Sequence, residues 1–243
     1  VRQLLLLALL PAAAHAQGLE VRNLKATTNG EVEFDLVNTA KQPIVTWFWE
    51  SEAKLPDGSA TGGGSGEDVY HSMDRPAATG EGPIQPGEAR RMKDTIDPAA
   101  TDLKITVTAV VFADGTAKGD PDTLDRIEQR RLEEAEAHRR MLELTRSLTD
   151  QLKNGMRDPI PELDRILASI DAVESRWVDA RGQRRAHKGG LTNSLLRHSV
   201  EMMRDNLKAA GPEHQLQLLS GAQHAAARQA ALALKYSKLR RVP

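Results

Sequence analysis

The chain has 243 residues, 33 basic and 34 acidic, a formal net charge of −1 and no cysteine. The lack of cysteine excludes disulfides, lipid attachment of the bacterial lipoprotein kind, cysteine nucleophiles and zinc–cysteine or iron–sulfur centres. The near-neutral total conceals an asymmetry: residues 17–115 hold nine basic and sixteen acidic side chains, residues 116–243 hold 23 and 18, which fits two domains of unlike surface.

Residues 1–16 read as a cleavable secretory signal. Arg2 supplies a positive start, Leu4 to Leu10 form an apolar run, Pro11 breaks it, and Ala14-His15-Ala16 gives the small-x-small pattern that a signal peptidase needs. The run is far shorter than the roughly 20 apolar residues of a membrane span. The expectation is cleavage after Ala16 and an exported chain, periplasmic or extracellular, with no transmembrane segment in its mature part.

Strands are predicted next. Val32, Phe34 and Leu36 alternate with charged residues, which gives one apolar face. Ile44 to Trp49 is apolar at nearly every position, as in a strand covered on both faces. Leu103 to Phe112 alternates and then turns wholly apolar, while Leu19–Ala26 and Arg90–Thr95 read as weaker strands. Short strands separated by turn signals suggest an antiparallel β-sandwich over residues 17–115. Residues 50–83, rich in Gly and Pro, read as a long flexible loop.

Asn38-Thr39 with Ile44 after it, then Ile84 and Gln85-Pro86-Gly87-Glu88, then a final apolar strand, resemble bacterial immunoglobulin-like modules of the CARDB type. The resemblance covers roughly residues 19–113 and implies an immunoglobulin-like sandwich of the kind used for adhesion or spacing. It carries over no functional residues.

Asp114-Gly115 marks a turn, and residues 116–121 read as a linker. Asp120 and Pro121 predict a helix start, because an Asp side chain accepts backbone N–H bonds and Pro suits the first helical position. The first helix should run from Pro121 to about Lys153. Its charged first half, with Leu124, Ile127 and Leu132 as sparse apolar contacts, has coiled-coil character and leaves open a homo-oligomer through this helix. A second helix is predicted from Pro161 to about Ala180, striped by Leu163, Ile166, Leu167, Ile170, Val173 and Trp177. A third covers about Thr192–Ala210, and an Ala-rich fourth, read as suited to close helix contacts, covers Pro212–Leu239. The predicted fold class is therefore α+β in two domains, an N-terminal sandwich followed by a C-terminal four-helix up-down bundle over residues 122–239.

The chemical motifs are mostly missing. Gly62–Gly66 lacks the Gly-Lys-Ser/Thr of a phosphate loop, Ser65 has Glu67 where a nucleophile elbow needs glycine, and no His-Glu-x-x-His occurs. His198, His214 and His224 have no second ligand at helical spacing, so no metal is expected. Trp47 and Trp49 share a strand face and read as core. Trp49, with Tyr70 and His71 from the long loop, is nonetheless the candidate ligand-facing set. Arg181, Arg184, Arg185 and Lys188 form a basic loop suited to an anionic surface, and Lys235, Lys238, Arg240 and Arg241 form a basic tail. No cofactor is called for. The expected partner is a protein or an envelope polymer rather than nucleic acid, and the leading reading is a non-enzymatic exported binding or structural protein. The alternative is a hydrolase-like or metal-dependent enzyme with dispersed residues.

Overall fold

The structure, a computed structural model, describes residues 18–72, 82–171, 175–178, 184–187 and 190–242. The signal-like residues 1–16 lie outside them. Among the described residues the protein is α+β, with seven strands before the first helix, a strand pair between the second and third helices and a short strand after the fourth, and it divides into two compact units. The first extends to Asp125 and takes back the chain from Leu239 onward. The second is Arg126–Lys238.

In the first unit, β1 (Leu19–Ala26), β2 (Glu31–Asn38) and β5 (Ala89–Thr95) form a three-stranded sheet in the order β1-β2-β5. β3 (Ile44–Lys54), β4 (Ala60–Asp68), β6 (Thr101–Phe112), β7 (Thr116–Gly119) and β10 (Arg240–Arg241) form a five-stranded sheet in the order β10-β7-β6-β3-β4. The alternation that predicts β2 also fills the core. Val32, Phe34 and Leu36 from one sheet join Trp47, Trp49, Val107 and Val110 from the other in a single buried cluster. A strand contributes one face per parity. On β3 the parity of Val45, Trp47, Trp49, Ser51 and Ala53 is buried throughout.

A knot of hydrogen bonds ties the segments between strands. Asn38 is fully buried, and its Nδ2 donates to the carbonyls of Gln42 at 2.9 Å and Ile84 at 2.8 Å, while its Oδ1 accepts from the Ala40 N–H. Ile44 and Ile84 exchange backbone bonds of 3.0 and 2.9 Å. Gln85–Glu88 closes a turn in which Gly87 has φ +78°, a conformation that favours glycine, and the Gln85 N–H donates to Glu88 Oε2.

Three sequence expectations change here. Residues 50–83 are not one irregular loop: β3 continues to Lys54, β4 follows after the Pro56-Asp57-Gly58 turn, and Tyr70–Ser72 is a 3-10 turn. Four glycines erase the side-chain alternation that would have marked β4. Residues 116–121 are not a linker, because Thr116–Gly119 pairs with β6 through a hairpin at Asp114-Gly115. The five-stranded sheet is not wholly antiparallel, since β10 joins β7 in parallel, with Arg240 opposite Thr116 and Arg241 opposite Ala117. The tail is therefore structural: Arg240 pairs with Asp114 at 3.1 Å and Arg241 pairs with Asp125.

The helices are α1 (Pro121–Lys153), α2 (Ile160–Asp171), α3 (Gly190–Ala209) and α4 (Pro212–Tyr236). α1 starts where the sequence predicts. Asp120 Oδ2 accepts from both the N–H and the hydroxyl of Thr123 at 2.8 Å, and Pro121 takes the first position. The second unit's core gathers Met141 and Leu148 of α1, Leu163, Leu167 and Ile170 of α2, Leu196, Val200, Met203 and Leu207 of α3, and Leu219 and Ala226 of α4.

Two helical expectations also change. Leu132 is 45% exposed, and the buried residue beside it is Arg131, at 0%. The buried stripe runs 127, 131, 137, 141, 145, 148, so Arg131 falls on it and Leu132 lies more than a quarter of a turn from Arg131. Arg131 Nη1 donates to the Tyr236 carbonyl at 2.6 Å, which places a cation on the C-terminal end of α4. α2 ends at Asp171, and Trp177 belongs to β8 (Ser175–Val178), which pairs with β9 (Arg184–His187). The β-branched and aromatic content of β8 fits a hairpin strand better than a fifth helical turn.

Candidate functional site

Among the described residues the sequence candidates do not assemble into a site. Trp49 is 4% exposed and packs against the Phe34 ring at 5.6 Å. Tyr70 is 3% exposed and meets His71 edge-on at 5.8 Å. Only His71 of the three is exposed. Trp49 stands on the buried parity of β3 and belongs to the cluster that both sheets fill, and Tyr70, in the 3-10 turn, is buried as well. The same face carries Trp47, whose ring lies 5.0 Å from the Arg90 guanidinium carbon. Arg184 and Arg185 fall in β9, opposite Val178 and Trp177. Arg181 and Lys188 lie outside the described residues.

An open cleft lies instead in the second unit. Its volume is about 360 Å³, within the range of small-molecule sites. α1 contributes His138 and Met141, one turn apart. α3 contributes Ser199, Met202, Met203, Asn206 and Leu207. α4 contributes Leu218, Ala222, Ala225, Ala226 and Gln229. The spacings on α3 and α4 are those of a single helical face, so each wall is a continuous stripe. The cleft exists because α4 places alanine at 222, 225 and 226, where larger side chains would fill the space between helices. Those alanines read in sequence as a close helix contact. They line the opening instead.

The lining is chemically simple. Met202, 53% exposed, and Leu218, 37% exposed, form an apolar rim, and three methionines give the walls flexible, polarizable side chains that adapt to a ligand's shape. His138 is the single titratable lining residue. Burial holds its pKa below the usual imidazole value of 6.5, and the Glu134 carboxylate one turn back opposes that shift only in part. A neutral imidazole at neutral pH offers one hydrogen-bond donor and one acceptor. Asn206, Ser199 and Gln229 add a few polar groups. Among the described residues no carboxylate lines the cleft; the nearest that acts on the imidazole is Glu134, one turn back on α1.

Among the described residues, no three His, Asp or Glu side chains converge as a metal site. His214 Nδ1 lies 3.1 Å from Glu213, and His224 Nδ1 lies 2.7 Å from the Ser220 carbonyl. Both histidines are exposed. Among the described residues no helix is long and apolar enough to cross a membrane.

His138, Met202 and Leu218 went unnoticed as site residues. The available signal was an apolar residue on a helix face already satisfied by its neighbours, such as Met202 beside Met203. Comparison of the chain with family models, with curated proteins and with solved structures finds no match in any of the three, so the cleft and its lining carry the functional argument.

Proposed function

We propose that this is an exported, non-catalytic binding protein of the bacterial envelope, with an immunoglobulin-like β-sandwich joined in one chain to an up-down helical bundle whose cleft takes a small apolar ligand. The observation that carries the binding reading is the cleft itself: about 360 Å³, walled by Met, Leu and Ala, with an apolar rim and a single imidazole. Apolar walls with a few placed polar groups are the usual composition of a ligand site. An exposed apolar rim on a helical surface is costly to retain unless something covers it. The signal-like residues 1–16 support export. The shared core of the two sheets and the two-residue link between α3 and α4 support the sandwich and the bundle.

The test is a titration of the full chain with an uncharged apolar dye, N-phenyl-1-naphthylamine, read by fluorescence. One saturable site is expected. Ala222→Leu, which fills the cleft from the α4 wall, should weaken binding at least about tenfold, the loss of one good apolar contact surface. Equal binding by both proteins with unchanged circular dichroism would exclude this cleft as the site.

A further inference from the structure

A sheet edge presents unpaired N–H and C=O groups to solvent, and proteins guard such edges with charge, bulges or short length. Three of the four edges in the first unit are guarded. β1 carries Glu20, Arg22 and Lys25 and a register shift between Arg22 and Lys25. β5 carries Arg90, Arg91, Lys93 and Asp94. β10 has two residues, both arginine. β4 is different. It has nine residues, pairs with β3 without a register shift, and holds no proline and no basic residue, with Glu67 and Asp68 only at its end. Among the described residues no strand pairs with its outer edge.

The phase of the hairpin fixes which groups face outward. The Leu55 N–H donates to the Ser59 carbonyl at 2.8 Å and the Val69 N–H to the Val45 carbonyl at 2.9 Å, and the register between them is continuous. Antiparallel pairs alternate between bonded and unbonded. Thr61, Gly63, Ser65 and Glu67 therefore turn their backbone groups toward β3, and Ala60, Gly62, Gly64, Gly66 and Asp68 turn theirs outward.

We infer that the outer edge of β4 pairs antiparallel with β4 of a second copy of this chain, about a two-fold axis at Gly64. The outward glycines are symmetric about Gly64, so this register sets Gly62 against Gly66 in a bonded pair, with Ala60 facing Asp68. It also separates like charges, since Glu67 and Asp68 of one copy face Thr61 and Ala60 of the other. A foreign peptide would find few side chains on this strand by which its sequence could be read, whereas an isologous pair needs only the shared backbone.

Gly64 is also the position to test. A Cβ there would meet only Glu50 Cγ and the Trp49 carbonyl, both at 3.3 Å, while one at Gly62 or Gly66 would run into backbone at 2.2 or 2.5 Å. Its outward N–H lets Gly64→Pro block the edge without removing a hairpin bond. Gly64→Cys, in a chain with no other cysteine, would place two thiols across the axis at a separation that a disulfide spans.

Sedimentation of the full chain should show a dimer that dissociates on dilution. Gly64→Pro should raise its dissociation constant at least about tenfold, the loss of a hydrogen-bonded pair, with circular dichroism unchanged. Gly64→Cys should oxidise to a covalent dimer faster than Thr28→Cys, placed on an exposed turn. A wild-type chain monomeric at every concentration overturns the inference. So does a dimer unaffected by Gly64→Pro, or a Gly64→Cys that crosslinks no faster than the control. Should Gly64→Pro fail to fold, the crosslinking comparison decides alone.

Discussion

The two units solve the packing problem with different residues, and the difference shows in how each core is filled. The first unit fills its core with rings: Trp47, Trp49, Phe34 and Phe112 lie in one buried cluster. Large rings from two sheets fill this cluster. The second unit builds with Leu, Met and Ala, and where α4 carries alanine opposite α3 the core opens into a cleft. A ligand site there needs no special residues, only small ones where large ones would have closed the core.

Substitutions should therefore act in opposite ways in the two units. The largest effect is expected for Trp47→Ala, which should cost about 3–5 kcal/mol in a urea titration followed by circular dichroism, because it removes a fully buried ring and strips Arg90 of its stacking partner. A loss below about 1 kcal/mol, the range of an ordinary surface change, would mean that the first core is not closed by rings. Arg131→Ala should cost about 2–3 kcal/mol, since it removes a charged hydrogen bond and leaves the end of α4 short of a donor. A smaller loss would show that packing alone holds α4 against α1.

Ala222→Leu should change stability by no more than about 1 kcal/mol in either direction, because the added side chain enters open space. A loss comparable with that of Trp47→Ala would mean that the cleft is closed in solution. His138 should give the second unit a mild acid sensitivity. Its folded pKa lies below the unfolded value of 6.5, so the unfolded chain binds a proton first. Stability is then complete above about 6.5 and falls as pH drops through that value toward the folded pKa. An apolar ligand that covers the imidazole further lowers its pKa again, so binding should weaken only at still lower pH, as pH falls through the folded pKa, and His138→Gln should flatten both curves. The smallest effect is expected for Arg241→Ala. Loss of an exposed pair with Asp125 should cost about 0.2–1 kcal/mol, less at high salt.

The sequence showed the strands with clear alternation and the helix that opens at Asp120-Pro121, because those signals are local. Ile44 to Trp49 read as a strand covered on both faces, but its extension through Ser51 and Ala53 was hidden in the stretch that reads as a loop; the buried parity of Val45, Trp47, Trp49, Ser51 and Ala53 is what argues against Trp49 as a ligand contact. β4 was illegible because glycine has no side chain to alternate. β7 and β10 are too short for any pattern, and β10 folds back from the far end of the sequence. Arg131 hid because a charged residue on a core stripe looks like surface until its acceptor, 105 residues away, is known. The cleft was illegible for a related reason. Whether Ala222, Ala225 and Ala226 close a helix contact or leave a gap depends on the distance between helices, which no single helix encodes.

The most direct test uses the methionine methyl groups, of which the chain has six. Methyl NMR spectra of the full chain should be recorded while the uncharged dye is added. Binding in the cleft predicts that the signals of Met141, Met202 and Met203 shift together and saturate, while those of Met92 and Met156 stay fixed. Dye binding that leaves all three cleft methionines unmoved, or that shifts Met92 in the first unit instead, would contradict it.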